Sequence, residues 1–334
     1  MRVAVIGAGN WGTALAVHAA RAGHGVRIWS RNDEVVESIN REHTNAVYLS
    51  GAQIPESVTA TRDIALTVRE AELLILAAPS HATRELITAM RAELRSELIV
   101  VSATKGIETD TGKRISQIVA DVVAEDARPR FVCLSGPSFA REVVKKHPTA
   151  VVAASEDPEA ARVVQSELSF ENFRIYRNDD VIGTELGGSV KNVMAIAAGM
   201  VYGMGFGSNS VAALITRGLS EMTRLALREG GKTETLMGLA GLGDLVLTCT
   251  GSLSRNRHVG QELGNGKALE EITAGMNEVA EGLKTTQAVK RLADRVGVEM
   301  PITDEVHAVL YERKPARDAA NELMTRPLKE EGNW

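Results

Sequence analysis

The chain has 334 residues, which is enough for two domains of ordinary size that each bury a core. Hydrophobic residues make up 44% and charged residues 24%, and the formal net charge is -5, so no overall basic field recruits nucleic acid or an anionic membrane. The two cysteines, Cys133 and Cys249, form no C-x-x-C pair, which argues against a disulfide framework and a structural zinc site. We therefore expect a two-domain cytoplasmic protein without a signal peptide, a membrane-inserted segment or a bound metal.

The first half of the sequence alternates short apolar runs with helical patterns. Strands are predicted at residues 3–6, 26–29, 73–76, 98–101, 131–134, 150–154 and 173–176. Helices are predicted at residues 13–22, 33–41 (capped by Asn32), 84–94 and 113–123. This alternation predicts an α/β domain with a Rossmann-type, doubly wound and mainly parallel sheet. In such a sheet, ligands bind beyond the carboxyl ends of the strands, which directs attention to residues 78–80, 104–106 and 135–138.

A glycine-rich loop, Gly7-Ala8-Gly9-Asn10-Trp11-Gly12, follows the first predicted strand and opens the first helix. A lone G-x-G-x-x-G is weak, but this strand-loop-helix context is the one that gives the motif its meaning. Gly7 permits the tight turn, Gly9 lets a pyrophosphate approach the backbone, and Gly12 lets the helix pack on the strand. We predict a nicotinamide dinucleotide site with the pyrophosphate at the helix N-terminus; the alternative is a plain strand-to-helix turn.

The end of the second strand, Trp29-Ser30-Arg31-Asn32, bears on which cofactor is bound. A carboxylate here would hold the ribose 2′-hydroxyl of NAD, whereas Ser30 and Arg31 can receive the 2′-phosphate of NADP. We predict that NADP(H) is preferred, with some use of NAD(H) because Asp33 is close in sequence. The alternative is that Arg31 is an ordinary solvated arginine.

From about residue 178 onward the sequence shows helical patterns and no convincing strand. The clearest patterns cover residues 190–202, 212–229, 285–296 and 304–312. We therefore divide the chain into a dinucleotide-binding domain, residues 1–180, and an all-helical substrate domain, residues 181–334.

Two polar motifs in the second half interrupt apolar patterns. The first motif is Gly187-Gly188-Ser189-Val190-Lys191-Asn192-Val193, which places Lys191, beside Asn192, at the start of an apolar helix. Desolvation there would lower the pKa of Lys191 and make its amine a usable base. The alternative is a lysine that snorkels to solvent. Asp244 and Thr248 would share one face of a helix, although Asp244 could equally be a simple cap.

Two further segments suit ligand binding. Ser254-Arg255-Asn256-Arg257 would form a phosphate receptor if it opens a helix; the alternative is a solvated basic first turn. Residues 277–282 form a polar loop before a helix, which has no meaning in isolation. His81, His258 and His307 lack metal-ligand spacing, and Cys249 is expected in the core.

Taken together, these segments closely resemble the bacterial type of NAD(P)-dependent glycerol-3-phosphate dehydrogenase. The resemblance spans residues 3 to about 324 and rests on GAGNWGTAL (7–15), ATKGI (103–107), SGPSFARE (135–142), GGSVKNV (187–193), GMGFGSN (203–209), GLGDLVLTC (241–249) and SRNR (254–257). The resemblance implies a Rossmann-type domain, an all-helical substrate domain, a homodimer, and interconversion of glycerol 3-phosphate and dihydroxyacetone phosphate for phospholipid synthesis.

The resemblance also implies roles for individual residues. The general base would be Lys191, assisted by Lys105, Asp244 and Thr248. The substrate contacts that it implies are Lys105, Gly136, Ser138, Asp244, Ser254, Arg255 and Asn256, to which we add Lys191 and Asn192. The cofactor contacts that it implies are Asn10, Trp11, Arg31, Lys105, Ala140, Arg255, Val279 and Glu281, in addition to Gly7, Gly9, Gly12 and Ser30, which the motifs themselves indicate. Lys105 and Arg255 would lower the pKa of Lys191 and attract the substrate phosphate.

Two other functions compete with this one. A two-domain dehydrogenase acting on a 3-hydroxy acid would need a carboxylate site, which residues 254–257 fit less well than a phosphate. A redox-sensing regulator that binds NAD(P) without turnover would need no buried base, so Lys191 speaks against it.

Overall fold

The computed structural model describes residues 1–276, 280–328 and 330–331. The chain divides into two compact units, the first made of Met1–Thr104 and Ile115–Val181 and the second of Lys105–Arg114 and Ile182–Trp334. The chain therefore leaves the first unit after Thr104, contributes ten residues to the second, and returns at Ile115. The sequence pattern gave no sign of this excursion.

The first unit is built on an eight-stranded sheet. The strands are β1 (Arg2–Ile6), β2 (Gly25–Trp29), β3 (Val58–Thr61), β4 (Leu73–Leu76), β5 (Ile99–Ser102), β6 (Arg130–Ser135), β7 (Thr149–Ala154) and β8 (Phe173–Asn178). Their order across the sheet is β3-β2-β1-β4-β5-β6-β7-β8, and only the β6–β7 pair is antiparallel. The order reverses between β1 and β4, which is the point at which doubly wound sheets bind ligands. The predicted Rossmann-type, mainly parallel sheet is confirmed.

Helices cover both faces of this sheet. They are α1 (Asn10–Arg21), α2 (Asp33–Glu42), α3 (Ile64–Val68), α4 (Thr83–Met90), α5 (Ile115–Val122), α6 (Ala140–Val144) and α7 (Pro158–Leu168). Alternate residues of β1 enter opposite cores: Val3 and Val5 one, Ala4 and Ile6 the other. This double burial explains why the strands read as continuous apolar runs. The predicted cap is also confirmed, because the Asn32 side chain accepts a hydrogen bond from the Glu34 N–H.

Within its described residues, the regular secondary structure of the second unit is entirely helical, as predicted. Its helices are α8 (Val181–Gly203), α9 (Ser208–Arg228), α10 (Thr233–Leu236), α11 (Asp244–Thr250), α12 (Arg255–Gly264), α13 (Leu269–Ala274), α14 (Glu281–Val296), α15 (Pro301–Tyr311) and α16 (Ala316–Thr325). A π-helical turn, Leu239–Gly243, leads into α11. Within the described part of the chain, no single helix is long and apolar enough to span a membrane; one bent pair, residues 233–250 with 255–264, meets that test by length and composition alone.

The position of Lys191 within its helix was predicted wrongly. Helix α8 begins at Val181, so Lys191 lies in its middle and not at its start. Gly187 suggested a helix boundary, but it serves close packing instead, since a Cβ there would lie 2.6 Å from the Ala240 carbonyl oxygen. Tertiary packing therefore overrides the weak helix propensity of the glycines.

Helices α8 and α12 pack closely along a seam of four glycines. Gly199 and Gly203 of α8 face Gly260 and Gly264 of α12, and a Cβ on any of the four would collide with backbone atoms of the opposite helix. This glycine seam fixes the position of α12 against the helix that carries Lys191.

Candidate active site

The glycine-rich loop of the first unit has the geometry that the motif requires. Gly7 ends β1 with φ +108°, and a Cβ on it would lie 2.8 Å from the Ala77 carbonyl oxygen. A Cβ on Gly12 would collide with the Gly7 carbonyl oxygen. Gly9 precedes α1, and no side chain caps that helix. The first-turn N–H groups of α1 are thus suited to a phosphate group.

Two side chains at the start of α1 carry buried polar atoms. The Asn10 Oδ1 and the Trp11 indole N–H have no hydrogen-bond partner among the residues that the structure describes. Buried polar atoms are normally satisfied, so these two suit a bound ligand such as a dinucleotide. Sequence reasoning missed Asn45, whose buried side-chain amide donates to the Ala8 carbonyl (2.9 Å) and the Thr13 hydroxyl (2.8 Å) and so braces the loop.

The end of β2 presents an exposed Arg31 beside a buried Ser30. The Ser30 hydroxyl accepts the Asn32 N–H at 3.2 Å. The carboxylate of Asp33 accepts from Arg62 through both oxygens, at 2.9 and 2.7 Å. Arg62, which the sequence motifs did not indicate, follows β3 and offsets the charge of Asp33, the carboxylate nearest to Arg31 along the chain.

The loop after β6 carries Gly136 and Ser138. Gly136 has φ +140°, and a Cβ there would lie 2.9 Å from Val151 Cα, so only glycine fits. The Ser138 hydroxyl donates to the Gly136 carbonyl at 3.0 Å. Ala140 begins α6. These residues lie beyond the carboxyl end of β6, as the sequence analysis expected for ligand contacts.

The second unit brings together four of the predicted residues. Lys191 Nζ lies 2.5 Å from Asp244 Oδ1 and 2.8 Å from the Thr248 hydroxyl oxygen. Lys105 Nζ donates to the other Asp244 oxygen at 2.6 Å. Lys191, Asp244 and Thr248 are at least 95% buried, so Lys191 does not snorkel to solvent. A single carboxylate thus holds two lysines.

Asp244 is delivered by the π-helical turn that precedes α11. Gly241 permits this turn, because a Cβ there would collide with the Leu236 backbone. Asp244 is the first residue of α11, but its carboxylate binds the two lysines and makes no side-chain cap. The Thr248 hydroxyl donates to the Asp244 carbonyl oxygen at 2.6 Å. The lone pairs of that hydroxyl oxygen are therefore available to accept the hydrogen bond from Lys191. Single π turns of this kind are frequent at functional sites.

Burial and charge both act on the titration of this cluster. Burial lowers the pKa of Lys191 to about 8, Asp244 opposes that shift, and Lys105 adds to it. Burial alone would raise the pKa of Asp244, but the two ammonium groups outweigh it and hold that pKa below its usual value. Lys191 can therefore both hold and release a proton near neutral pH.

The predicted phosphate receptor opens helix α12. The Ser254 side chain accepts the Arg257 N–H at 3.2 Å and caps the helix, as predicted. Arg255 is exposed, whereas the Arg257 guanidinium lies 4.3 Å from the centre of the Tyr202 ring. Asn256 accepts the Gly282 N–H at 2.9 Å, which ties α12 to the start of α14. The cap and the tie to α14 therefore fix the first turn of α12, in which Arg255 is the exposed arginine.

Three remaining positions complete the predicted set. Asn192 is 96% buried and follows Lys191 directly in α8. Glu281 begins α14, and burial raises its pKa to about 7 against the opposing charges of Arg255, Lys105 and Lys191. Val279 lies outside the described residues. Cys249 is fully buried in the core of the second unit, as expected.

The fold and these residues define a class of protein, a nicotinamide-dependent dehydrogenase with a Rossmann-type unit and a helical unit that carries a buried lysine. Two family models match the chain: the N-terminus of NAD-dependent glycerol-3-phosphate dehydrogenase over residues 2–161, and its C-terminus over residues 180–321. The chain belongs to the NAD-dependent glycerol-3-phosphate dehydrogenase family.

Individual relatives agree with this assignment. The chain is 54% identical over 328 residues to glycerol-3-phosphate dehydrogenase [NAD(P)+] of Koribacter versatilis, covering 98% of this chain and 97% of that one. It is 49% identical over 331 residues to the enzyme of the same name from a Geobacter species, covering 99% of each chain. A crystal structure of glycerol-3-phosphate dehydrogenase from Coxiella burnetii superposes with a TM-score of 0.93 at 41% identity, covering 97% of this chain and 99% of that one.

Proposed function

We propose that this protein is an NAD(P)-dependent glycerol-3-phosphate dehydrogenase that interconverts dihydroxyacetone phosphate and sn-glycerol 3-phosphate and supplies glycerophospholipid synthesis. The observation that carries this proposal is the buried Lys191, held by Asp244 and Thr248 with Lys105 on the same carboxylate. We assign dinucleotide binding to residues 1–180 and substrate binding to residues 181–334, with residues 105–114 acting with the latter.

Lys191 would handle the proton of the reaction. A bound nicotinamide dinucleotide would supply the hydride chemistry. In reduction, the Lys191 ammonium gives a proton to the carbonyl oxygen; in oxidation, the neutral amine takes the proton of the hydroxyl. Asp244 and Thr248 hold the amine in place, and Lys105 keeps its pKa near the working pH.

Charged and polar groups would hold the phosphorylated substrate. Arg255, Ser254 and Asn256 lie at the N-terminus of α12, where backbone N–H groups and a guanidinium favour a phosphate. The buried Asn192, next to Lys191 in α8, and Lys105 would contact the substrate near Lys191. For the first unit taken by itself, we assign substrate contacts to Gly136 and Ser138, as the resemblance implies.

We assign cofactor contacts in each unit separately. In the first they are Gly7, Gly9, Asn10, Trp11, Gly12, Ser30, Arg31 and Ala140. In the second they are Lys105, Arg255 and Glu281, together with Val279. The unsatisfied atoms of Asn10 and Trp11 support this assignment most directly.

We further propose that NADP(H) is preferred over NAD(H). The exposed Arg31 suits a 2′-phosphate, and Arg62 neutralises Asp33, the carboxylate nearest to it along the chain. The test compares kcat/KM for NADPH and NADH, and a clear NADH preference would refute the proposal.

We also propose that the protein is a cytoplasmic homodimer, as its resemblance to the bacterial enzymes implies. Light scattering on the purified protein should give twice the mass of one chain, and a monomer at assay concentration would reject this assembly.

The function is tested by following nicotinamide absorbance with dihydroxyacetone phosphate as substrate. We expect NADPH to be oxidised and glycerol 3-phosphate to accumulate. Turnover with a 3-oxo acid and not with dihydroxyacetone phosphate would support a 3-hydroxy-acid dehydrogenase. Binding of NADPH without any turnover would support a redox sensor.

A further inference from the structure

The 105–114 segment, which joins the second unit, starts at Lys105 and ends at Arg114. Its first residue donates to Asp244, so the segment carries one of the two cations of the lysine cluster. The rest of the segment makes no contribution to that cluster in the mechanism above.

The segment folds into a tight turn. The Glu108 N–H donates to the Lys113 carbonyl at 3.0 Å, and the Gly112 N–H returns to the Glu108 carbonyl at 2.9 Å. Gly112 has φ +66°, which favours glycine. Because these bonds close the turn on itself, the segment can be held as one piece by anchors at a few points.

Three anchors attach this turn to the helices of the second unit. Ile107 is fully buried in the helical core. The Arg295 guanidinium on α14 donates to the Thr111 carbonyl at 2.8 Å, and Arg291, one turn earlier, donates to the Thr109 carbonyl at 3.3 Å. The Arg114 guanidinium lies 2.7 Å from the Glu185 carboxylate of α8, and both side chains are at least 90% buried.

The anchors on α8 and α14 connect the segment to the cluster. Glu185 and Lys191 are both on α8, and Glu281 and Arg295 are both on α14. We infer that Arg295 and the Arg114–Glu185 pair are positioning residues, which hold the 105–114 segment so that Lys105 stays on Asp244 and tunes the proton affinity of Lys191. This inference rests on the proposed function for its kinetic consequence only.

The charged and titratable groups that face Lys191 are few in the described chain. They are Asp244 and Cys249 from α11, Lys105 from the 105–114 segment and Glu281 from α14. Lys105 is the cation that opposes the charge of Asp244. If Lys105 withdraws, Asp244 stabilises the Lys191 ammonium alone, and the pKa of Lys191 rises.

The main test is Arg295→Ala, because Arg295 is exposed and its loss leaves the core intact. In oxidation of glycerol 3-phosphate, we expect the acid limb of the kcat profile to move up by about half to one pH unit. The expected loss of kcat below that limb is about three- to tenfold, with an unchanged dissociation constant for the dinucleotide. Glu185→Gln, which keeps an acceptor for Arg114 but removes the charge, should shift the profile in the same direction.

Two variants serve as controls on the same helix. Arg295→Lys keeps a donor for the Thr111 carbonyl and should recover most of the wild-type profile. Lys284→Ala removes an exposed cation of α14 and should leave the profile unchanged. A loss of kcat in Arg295→Ala without movement of the acid limb would overturn the proposal, since it would indicate a merely structural role.

A second readout does not depend on activity. Competitive acetylation with acetic anhydride over a range of pH, mapped by peptide mass spectrometry, gives the pKa of the Lys191 amine directly. We expect that pKa to rise in Arg295→Ala and the Lys105 amine to be labelled faster. Unchanged labelling of both lysines would overturn the proposal, even for a protein that turned over neither substrate and so failed the proposed function.

Discussion

At the scale of single residues, Lys191 shows how the fold stabilises a buried ammonium group. A buried ammonium without partners would be strongly destabilising, but here one carboxylate oxygen and one hydroxyl accept from it. Because burial and Lys105 both lower the pKa of this amine to about 8, it is held close to the point of losing its proton. The same contacts thus serve stability and proton transfer.

Replacing Lys191 by alanine should abolish the reaction and spare cofactor binding. The amine is the proposed proton carrier, and general acid–base groups contribute roughly 10²–10⁴-fold to rate, so kcat should fall by about that factor. The dissociation constant for NADPH, measured by fluorescence titration, should stay within about twofold. A large loss of NADPH affinity would instead assign Lys191 to the cofactor site.

Replacing Arg255 by alanine should weaken binding of the phosphorylated substrate. Loss of one charge-assisted contact costs roughly 2–3 kcal/mol, so KM for dihydroxyacetone phosphate should rise about 30- to 150-fold. Arg257→Ala is the matched control, because that guanidinium lies over the Tyr202 ring and should affect stability more than KM. An unchanged KM in Arg255→Ala would place the phosphate elsewhere.

At the scale of secondary-structure elements, glycines decide how closely the helices of the second unit approach. The glycine seam joins α8, which carries Lys191, to α12, which carries Arg255 and Asn256. Gly187 and Gly241 do the same for the π-helical turn that delivers Asp244. Helix–helix contacts without side chains between them leave little room for sliding, so the proton carrier and the proposed phosphate receptor are fixed relative to each other.

Substituting the seam should therefore cost stability. In Gly260→Ala, the new methyl group would collide with the Ile196 carbonyl oxygen, and overpacking of this kind costs about 3 kcal/mol. Gly207→Ala is the control, because a Cβ there meets nothing within 4 Å. Urea unfolding followed by far-UV circular dichroism measures both, and equal stabilities of the two variants would show that the seam yields easily.

Sequence patterns predicted these elements unevenly, for physical reasons. Apolar strands such as β1 and β4 were found because both faces of the sheet bury them. Strand β3 (Val58–Thr61) was missed because it alternates at the sheet edge and is short. The start of α8 was misplaced because its glycines indicate a boundary until the packing against Ala240 is known.

The candidate site was predictable in its residues but not in its contacts. The motifs indicated Lys191, Asp244 and Thr248, yet spacing alone could not show that one carboxylate binds both Lys105 and Lys191. Arg62 and Asn45 were missed because each acts through the fold: one neutralises Asp33, and the other braces the glycine-rich loop. Long-range pairings of this kind leave no local pattern.

At the scale of the whole molecule, a buried carboxylate links stability to pH. Glu221 of α9 accepts hydrogen bonds from the N–H groups of Ile302 (2.6 Å) and Thr303 (3.3 Å) at the start of α15. Burial raises the pKa of Glu221 to about 7, from an ordinary value of 4.5. The folded state therefore binds this proton more tightly than the unfolded state, and its stability falls as the pH rises through that interval.

Glu221→Gln should remove this dependence. Urea titrations at each pH give the free energy of unfolding of the wild type and of Glu221→Gln. We expect the wild-type value, relative to that of the variant, to fall by about 3 kcal/mol between about pH 5 and pH 8. Glu234→Gln, an exposed site, provides the control and should show no such trend. A difference that stays constant with pH would show that the helix N–H groups keep Glu221 ionised throughout.

The excursion of residues 105–114 has a consequence for building chimeras from relatives of this enzyme. A hybrid with a single junction near residue 181 would combine the helices of one parent with Lys105 and Ile107 of the other. Both the helical core, which contains Ile107, and the lysine cluster would then contain residues from two parents. Three junctions, after Thr104, Arg114 and Val181, keep each unit from a single parent. The modular boundary of this enzyme is therefore discontinuous in sequence, and recombination that respects it must exchange two stretches of chain together.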